Sequence, residues 1–201
     1  MHTHPPLILA SGSPRRQQLL RDMDFDFSVV VREVDESFPP DLSPEETALY
    51  IARKKAAAYA DLAADSLVIT SDTIVAIGGQ ILGKPQNEQE AMSMLAALSG
   101  RTHQVITAVA LRHGARLEAF AEITEVEFTE LTPSAMRYYV ERYRPNDKAG
   151  AYGIQEWIGM VGITAIRGDY YNVMGLPTAR LHAALQAWAQ DNPGYSHTKT
   201  P

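Results

Sequence analysis

Leu7-Ile8-Leu9-Ala10-Ser11-Gly12-Ser13-Pro14-Arg15-Arg16 is a short apolar run, broken by small residues and followed at once by two cations. A continuously apolar run of this length reads as a buried strand, covered on both faces. Ser13 suits a helix cap and Pro14 the first helical turn, so Arg15 to Met23 is expected to be helical. A strand that passes through a small-residue loop into a helix start is the building unit of an α/β fold. It also leaves unpaired backbone amides at the helix start, where an anion can bind. The hydroxyls of Ser11 and Ser13 and the guanidinium groups of Arg15 and Arg16 add donors that match phosphate oxygens. The plain alternative is a capped helix with two solvated arginines, since short motifs of this kind recur by chance. The Gly-Lys-Ser/Thr ending of a Walker loop is missing.

Working outward, Phe27 to Val34 reads as a second strand. Ser43-Pro44-Glu45-Glu46 is a helix start, with Ser as cap, Pro at the first position and Glu at the third, and the helix is expected to run to about Ala64. Ser66 to Thr70 is apolar and strand-like, and Thr73 to Ile77 continues extended. Gly78-Gly79 then turns the chain and Gln80 to Leu82 returns. Asn87 caps a helix ending near Ser99-Gly100. Gln104 to Arg112 and Leu117 to Phe128 form a long hairpin around Gly114, and Thr132-Pro133 opens a helix through about Tyr143. Ile163 to Arg167 and Tyr170 to Val173 flank Gly168-Asp169, a tight-turn pair. Pro177 to Ala189 is a last helix. Helices and strands interleave while several strands pair as hairpins, which points to an α/β protein with a mixed sheet.

Composition sets the outer limits. The 201 residues fit one domain, taken as residues 1–190 and with room for two lobes, followed by a polar, frayed tail at 191–201. Hydrophobic residues make up 45% and charged residues 21%, the balance of a soluble globular chain. With no cysteine, disulfides, thiolate metal sites and cysteine nucleophiles are excluded, which suits a reducing cytoplasm. No apolar run reaches the roughly 18 residues needed to span a bilayer, and the start lacks the features of a signal peptide. A net charge of −6 argues against long nucleic acid as a partner. A small anion needs only a local group of cations.

Several further constellations supply candidates. Asp72, in Ser71-Asp72-Thr73, follows an apolar strand, and a carboxylate at a strand end can hold a metal or take a proton from water. It can equally be a turn aspartate bonded to its own backbone. Lys84 projects from the Gly83-Lys84-Pro85 turn, as surface lysines commonly do. Asn146 to Gln155 joins a charge pair to small residues. There Lys148 can meet phosphate and Gln155 can read a base edge with one donor and one acceptor, or the segment is a well-ordered connection. Asp35-Glu36 is a candidate metal-ligand pair and Lys55 a candidate cation, though both patterns are usually just solvated. The six histidines show no metal spacing, and no serine sits in a Gly-x-Ser-x-Gly turn.

Taken in order, these segments resemble the Maf family of nucleotide pyrophosphatases. The matching pieces are Leu7 to Arg16, Ser71 to Val75, Gly83-Lys84-Pro85, Leu98 to His103, Ile106 to Val109, Asp147 to Gln155 and Gly168 to Pro177. Each is weak alone, but the ordered set is specific and spans about Leu7 to Ala189. The resemblance implies a fold similar to the inosine triphosphate pyrophosphatases, with an elongated mixed sheet, flanking helices and two lobes around a cleft. It implies cleavage between the α- and β-phosphates with a divalent metal, magnesium or manganese, and a homodimer. Asp72 matches the family's general base. Ser11, Arg15, Arg16, Lys55, Lys84 and Lys148 match or neighbour phosphate-facing positions, and Asp35 falls where the family carries a metal-associated carboxylate, often Glu. Arg15, Thr73 and Gln155 match the branch acting on dTTP and UTP rather than 7-methyl-GTP. The chain departs from the family at Thr70-Ser71, where Gly-Ala is common, and at Glu156-Trp157-Ile158, where the family is Gly-rich.

Two rival functions come from other classes. A nucleotide-binding regulator, acting through a partner in septum formation, would not need the base. A phosphatase would release orthophosphate in place of pyrophosphate.

Overall fold

The computed structural model describes residues 5–191. His2, His4 and the expected tail beyond Asp191 lie outside the described residues. The strands are β1 (Leu7–Leu9), β2 (Ser28–Val29), β3 (Leu67–Ile77), β4 (Gln80–Leu82), β5 (Thr102–His113), β6 (Arg116–Phe128) and β7 (Ile163–Arg167). The helices are α1 (Pro14–Asp22), α2 (Pro44–Ala57), α3 (Glu88–Leu98), α4 (Pro133–Tyr143), α5 (Trp157–Gly162), α6 (Tyr170–Met174) and α7 (Thr178–Asp191). All seven strands join one mixed sheet of order β2-β1-β3-β5-β6-β7, with β4 added to β3. The chain is thus α/β with a mixed sheet flanked by helices. Among the described residues no helix is long and apolar enough to cross a membrane.

Two compact units divide the chain. Among the described residues, one takes those up to Asp72, Thr107–Glu122 and those from Gly175 to Asp191; the other takes Thr73–Ile106 and Ile123–Met174. In the first unit β1 lies parallel to both neighbours, with Leu7, Ile8 and Leu9 opposite Leu67, Val68 and Ile69. Burial of all three β1 side chains explains the unbroken apolar run. Ile8, Ala10 and Val68 pack on Tyr59 and Ala63.

The Tyr59 hydroxyl also accounts for a shortened strand. It donates to Val30 O at 3.2 Å and accepts from Arg32 N–H at 2.8 Å. A side chain therefore replaces the ladder that would have continued β2, and the expected strand from Phe27 to Val34 is reduced to Ser28–Val29. The helix expected to reach Ala64 stops at Ala57. Beyond it the bonds tighten to the 3₁₀ pattern, from Ala58 N–H to Lys55 O and from Tyr59 N–H to Ala56 O, and the Ala58 carbonyl goes to Arg32 Nη1 at 2.6 Å.

The second unit is built around Leu95, Leu98, Val126, Tyr139 and Ile158, all with essentially no exposure. Two elements here depart from expectation. Tyr170 to Val173 is helix, not strand. Thr124 Oγ1 accepts from Asp169 N–H and donates to Asp169 O, and Asp169 Oδ1 accepts from Tyr171 N–H at 2.8 Å. That aspartate starts a helical turn where a hairpin was expected. Helix α5 was not expected at all, because its two glycines and its lack of a side-chain cap conceal it. Gly159 is required there, since a Cβ would overlap the Ile154 carbonyl oxygen.

His103 is a buried titratable group of this unit, only 2% exposed. Its Nε2 lies 2.8 Å from the Tyr152 hydroxyl, and the Phe128 and Tyr152 rings meet it edge-on. Burial pushes the imidazole down to about 4. The unfolded chain therefore takes up a proton below about pH 6.5 that the folded chain refuses, so stability falls as pH drops from about 6.5 to about 4. Thermal melts across that window should show a falling midpoint in the wild type. The fall should be shallower in His103→Gln, which cannot take up the proton.

Candidate functional site

The chemistry-bearing residues of the first unit meet where β3 ends its passage through that unit. Strand β3 runs unbroken through Thr70, Ser71 and Asp72, exposed by 0%, 1% and 8%, so Asp72 lies within the strand and not at the strand end or turn expected. The Thr70 hydroxyl donates to Ala52 O at 2.7 Å and so pins α2 to β3 one turn before Lys55. The Gly-Ala to Thr-Ser departure noted in the sequence thus has a structural use. Lys55, on the last turn of α2, then reaches Asp72 Oδ1 and Glu36 Oε1, each at 2.8 Å. The side chains of Lys55 and Asp72 are 14% and 12% exposed, so the pair is largely shielded, and Glu36 closes it from the open side at 48%.

Arg16 braces the same region. Its Nε donates to Gly175 O at 2.8 Å, and its Nη1 donates to Ser71 O at 3.0 Å and to Ser11 Oγ at 3.3 Å. Burial lowers its pKa, opposed by the nearby Asp72 charge, and the guanidinium remains charged. The same Ser11 Oγ accepts from Ser13 N–H, and Ser13 Oγ accepts from Arg16 N–H as the cap of α1. Strand end, loop and helix start are therefore tied through the stretch that opens the sequence. Arg15 sits half-buried on the first turn of α1.

Asp35 and Glu36 part company. Asp35 Oδ2 takes Lys54 Nζ at 2.8 Å, and Ser37 donates to Asp35 from both its N–H and its hydroxyl. Lys54 and then Ser37 hold the Asp35 carboxyl well below the usual range. Glu36, which had been considered only as half of a pair, shares Lys55 with Asp72. No sequence signal separated the two, because β2 ends before them and its alternation cannot assign their faces.

The second unit carries Thr73, Lys84, Lys148 and Gln155. Lys148 is buried at 8% exposure and pairs with Asp147 Oδ1 at 2.8 Å and Glu156 Oε1 at 3.1 Å. The Tyr139 hydroxyl donates to Glu156 Oε2 and accepts from Gly153 N–H at 3.0 Å. Gly150 N–H donates to Gly83 O at 3.0 Å, which ties the Lys84 turn to the Lys148 loop. Gly150 stands at φ +67°, where a Cβ would press 2.9 Å from Val75, so glycine is needed on both counts. Lys84 is exposed, and Thr73 follows Asp72 on β3, half-buried. The Oε1 of Gln155 is buried and accepts no hydrogen bond from any described residue. Among the described residues no group of three or more His, Cys, Asp or Glu is arranged to hold a metal ion.

The model of the family described as Maf-like protein matches residues 6–188. A dTTP/UTP pyrophosphatase of Phocaeicola vulgatus is 49% identical over 90% of this chain and 94% of its own. One of Flavobacterium psychrophilum is 47% identical over 89% and 92%, and one of Porphyromonas gingivalis 46% over 92% and 96%. Among solved structures, a HAM1 protein from Coxiella burnetii aligns over 90% of this chain and 98% of its own, with a TM-score of 0.48 and 16% identity.

The bond from Thr70 to Ala52 makes its own test. Thr70→Val keeps the volume and removes the donor, and the Ala52 carbonyl keeps only its bond within α2. It should cost about 0.5–1.5 kcal/mol. At about 2–4 °C per kcal/mol for a chain of this size, the loss is visible in a thermal melt. Thr70→Ser should recover part of it.

Proposed function

Because this chain belongs to the Maf family, we propose that it hydrolyses dTTP and UTP to the monophosphate and pyrophosphate, with Asp72 as general base. That the chain is a nucleoside triphosphate pyrophosphatase, a hydrolase acting on phosphoric anhydrides, follows from its curated relatives. The choice of substrate and the roles of residues are the proposal.

The observation that carries it is the shielded Asp72, held by Lys55 and flanked by Glu36. A carboxylate kept in place by a cation is oriented, as a group that takes a proton from water must be. In the proposed reaction a water oxygen forms a bond to the α-phosphorus and the bond to the α–β bridging oxygen breaks. The water's proton goes to Asp72, and pyrophosphate leaves with the electron pair. Arg15, Lys84 and Lys148 are assigned to the negative charge that grows on the leaving group. Ser11 and Ser13 support the amides at the start of α1. Arg16 is assigned chiefly to bracing, since its Nε and Nη1 serve protein acceptors.

The donor chemistry fits a divalent metal. Asp72 and Glu36, brought together by Lys55, are hard oxygen donors of the kind magnesium or manganese takes, and phosphate oxygens and water would complete the shell. Such an ion supplies charge neutralisation and a more acidic water. Asp35, engaged by Lys54 and Ser37, is the weaker of the two neighbouring candidates.

Pyrimidine choice is assigned to Gln155. Its buried, unsatisfied Oε1 suits a donor, and the imide N–H of uracil or thymine is one, while the Gln155 amide can return a bond to the neighbouring carbonyl. Thr73 and Arg15 complete the set by position.

Incubation of the protein and magnesium with a panel of triphosphates, scored for monophosphate, pyrophosphate and orthophosphate, tests the whole. dTTP and UTP should give pyrophosphate far faster than dATP, dGTP or dCTP. Orthophosphate alone, or no turnover with retained binding, would overturn the reaction, and equal rates would overturn the base reading. Asp72→Asn should lower kcat on the order of 10²–10⁴-fold. Near-normal turnover by that variant rules out the base. In magnesium titrations of activity, Glu36→Gln should raise the half-saturating concentration more than Asp35→Asn does.

A further inference from the structure

Lys148 raises a problem of placement. A lysine on a flexible four-carbon stem is a poorly fixed charge, and holding it in one rotamer costs about 2 kcal/mol of side-chain entropy. Its side chain here is only 9% exposed and meets two carboxylates of different character. Asp147 is its chain neighbour and 59% exposed, so it can swing away and yield its place to a phosphate oxygen. Glu156 is 19% exposed and fixed from behind.

We propose that Glu156 and Tyr139 are positioning residues for the reaction, fixing the Lys148 ammonium through an unbroken hydrogen-bonded chain from Gly153 N–H by way of the Tyr139 hydroxyl and the Glu156 carboxylate. The inference rests on the reading that Lys148 meets the triphosphate.

Each link is constrained. Tyr139 is fully buried, and its ring stacks on Tyr143 with centroids 5.0 Å apart and planes inclined by 23°. Its hydroxyl uses both its roles, accepting from Gly153 and donating to Glu156. Burial and the Glu156 charge push the phenol far above its ordinary value, so it stays a donor at any working pH. On the other side of Glu156, a Cβ at Gly153 would stand 2.9 Å from the carboxyl carbon, so glycine makes room for the carboxylate. Glu156 N–H donates to Gly153 O at 3.0 Å, which closes a turn around Ile154 and Gln155. One turn thus holds both the support of the phosphate-facing cation and the residue assigned to the base.

A cycle of variants, each assayed for kcat and KM on dTTP and melted in parallel, decides the matter. Lys148→Ala should lower kcat/KM on the order of 10–100-fold, and Glu156→Ala about tenfold, chiefly in kcat. Glu156→Gln keeps one acceptor oxygen for Lys148 and should restore most of the activity, and Tyr139→Phe should lose several-fold. Lys148→Ala with Glu156→Ala should be no worse than Lys148→Ala within about twofold, because residues acting through one group do not add. Losses that multiply in the double variant, or full activity in Glu156→Ala beside an impaired Lys148→Ala, overturn the positioning role and leave the phosphate reading standing. Full activity in Lys148→Ala overturns both. Should Glu156→Ala melt below the assay temperature, Glu156→Asp replaces it. That variant shortens the arm, keeps the charge, and should lower kcat with an unchanged melting midpoint.

Discussion

The first unit depends on one ammonium. Lys55 stands between Asp72 and Glu36, in a place where Asp72 is almost removed from water. A buried carboxylate without a partner is costly to keep ionised, and taking one partner from a buried pair costs about 3–5 kcal/mol. Lys55 supplies that partner, and it sets which way the Asp72 carboxylate faces. The position of Lys55 follows in turn from the Thr70–Ala52 bond and from the tight end of α2 just past it. Local sequence, a helix end and a strand hydroxyl all converge on that charge.

The second unit solves the same problem with the same parts. Lys148 is buried and balanced by two carboxylates, one exposed and one anchored. In both units a cation useful to a polyanionic ligand is kept folded against acidic side chains. On the proposed reading the ligand replaces the more exposed carboxylate, while the anchored one keeps the cation aimed. This is preorganisation: ordering costs are met during folding, so fewer remain at the moment of binding.

Much of this was legible in the sequence because it is written in local chemistry. Ser13-Pro14 and Ser43-Pro44-Glu45-Glu46 announce helix starts through capping bonds that need no tertiary partner, and both formed as expected. The apolar runs of β1 and β3 gave the buried strands for the same reason. What could not be read depends on distant residues. Tyr59 cuts β2 short with a hydroxyl from far along the chain, and Thr124 turns Asp169 into a helix start. The choice between Asp35 and Glu36 has the same origin, since only the packing of α2 decides which lysine each one meets. Lys55 and Asp72 were separately visible as candidates, but their pairing is a tertiary fact. Tyr139 gave no sign of itself, because a tyrosine at helical spacing reads as core, and it is core as well as donor.

Net charge gives these pairings a further sense. At −6 the protein repels polyanions at long range, and its candidate phosphate cations Lys55 and Lys148 are already covered by carboxylates. A nucleic acid strand or a polyphosphate that offers charge alone finds little uncompensated positive surface in either cluster. A ligand must instead offer enough donors and acceptors, in the right places, to repay the displaced carboxylates and the desolvated phosphates. A triphosphate that arrives with its own divalent cation is less repelled, because the cation offsets part of its charge and can share the freed carboxylates. On the proposed reading, selectivity for a small metal-bound anion over a long bare one would follow from how the cations are held. It does not require a steric gate.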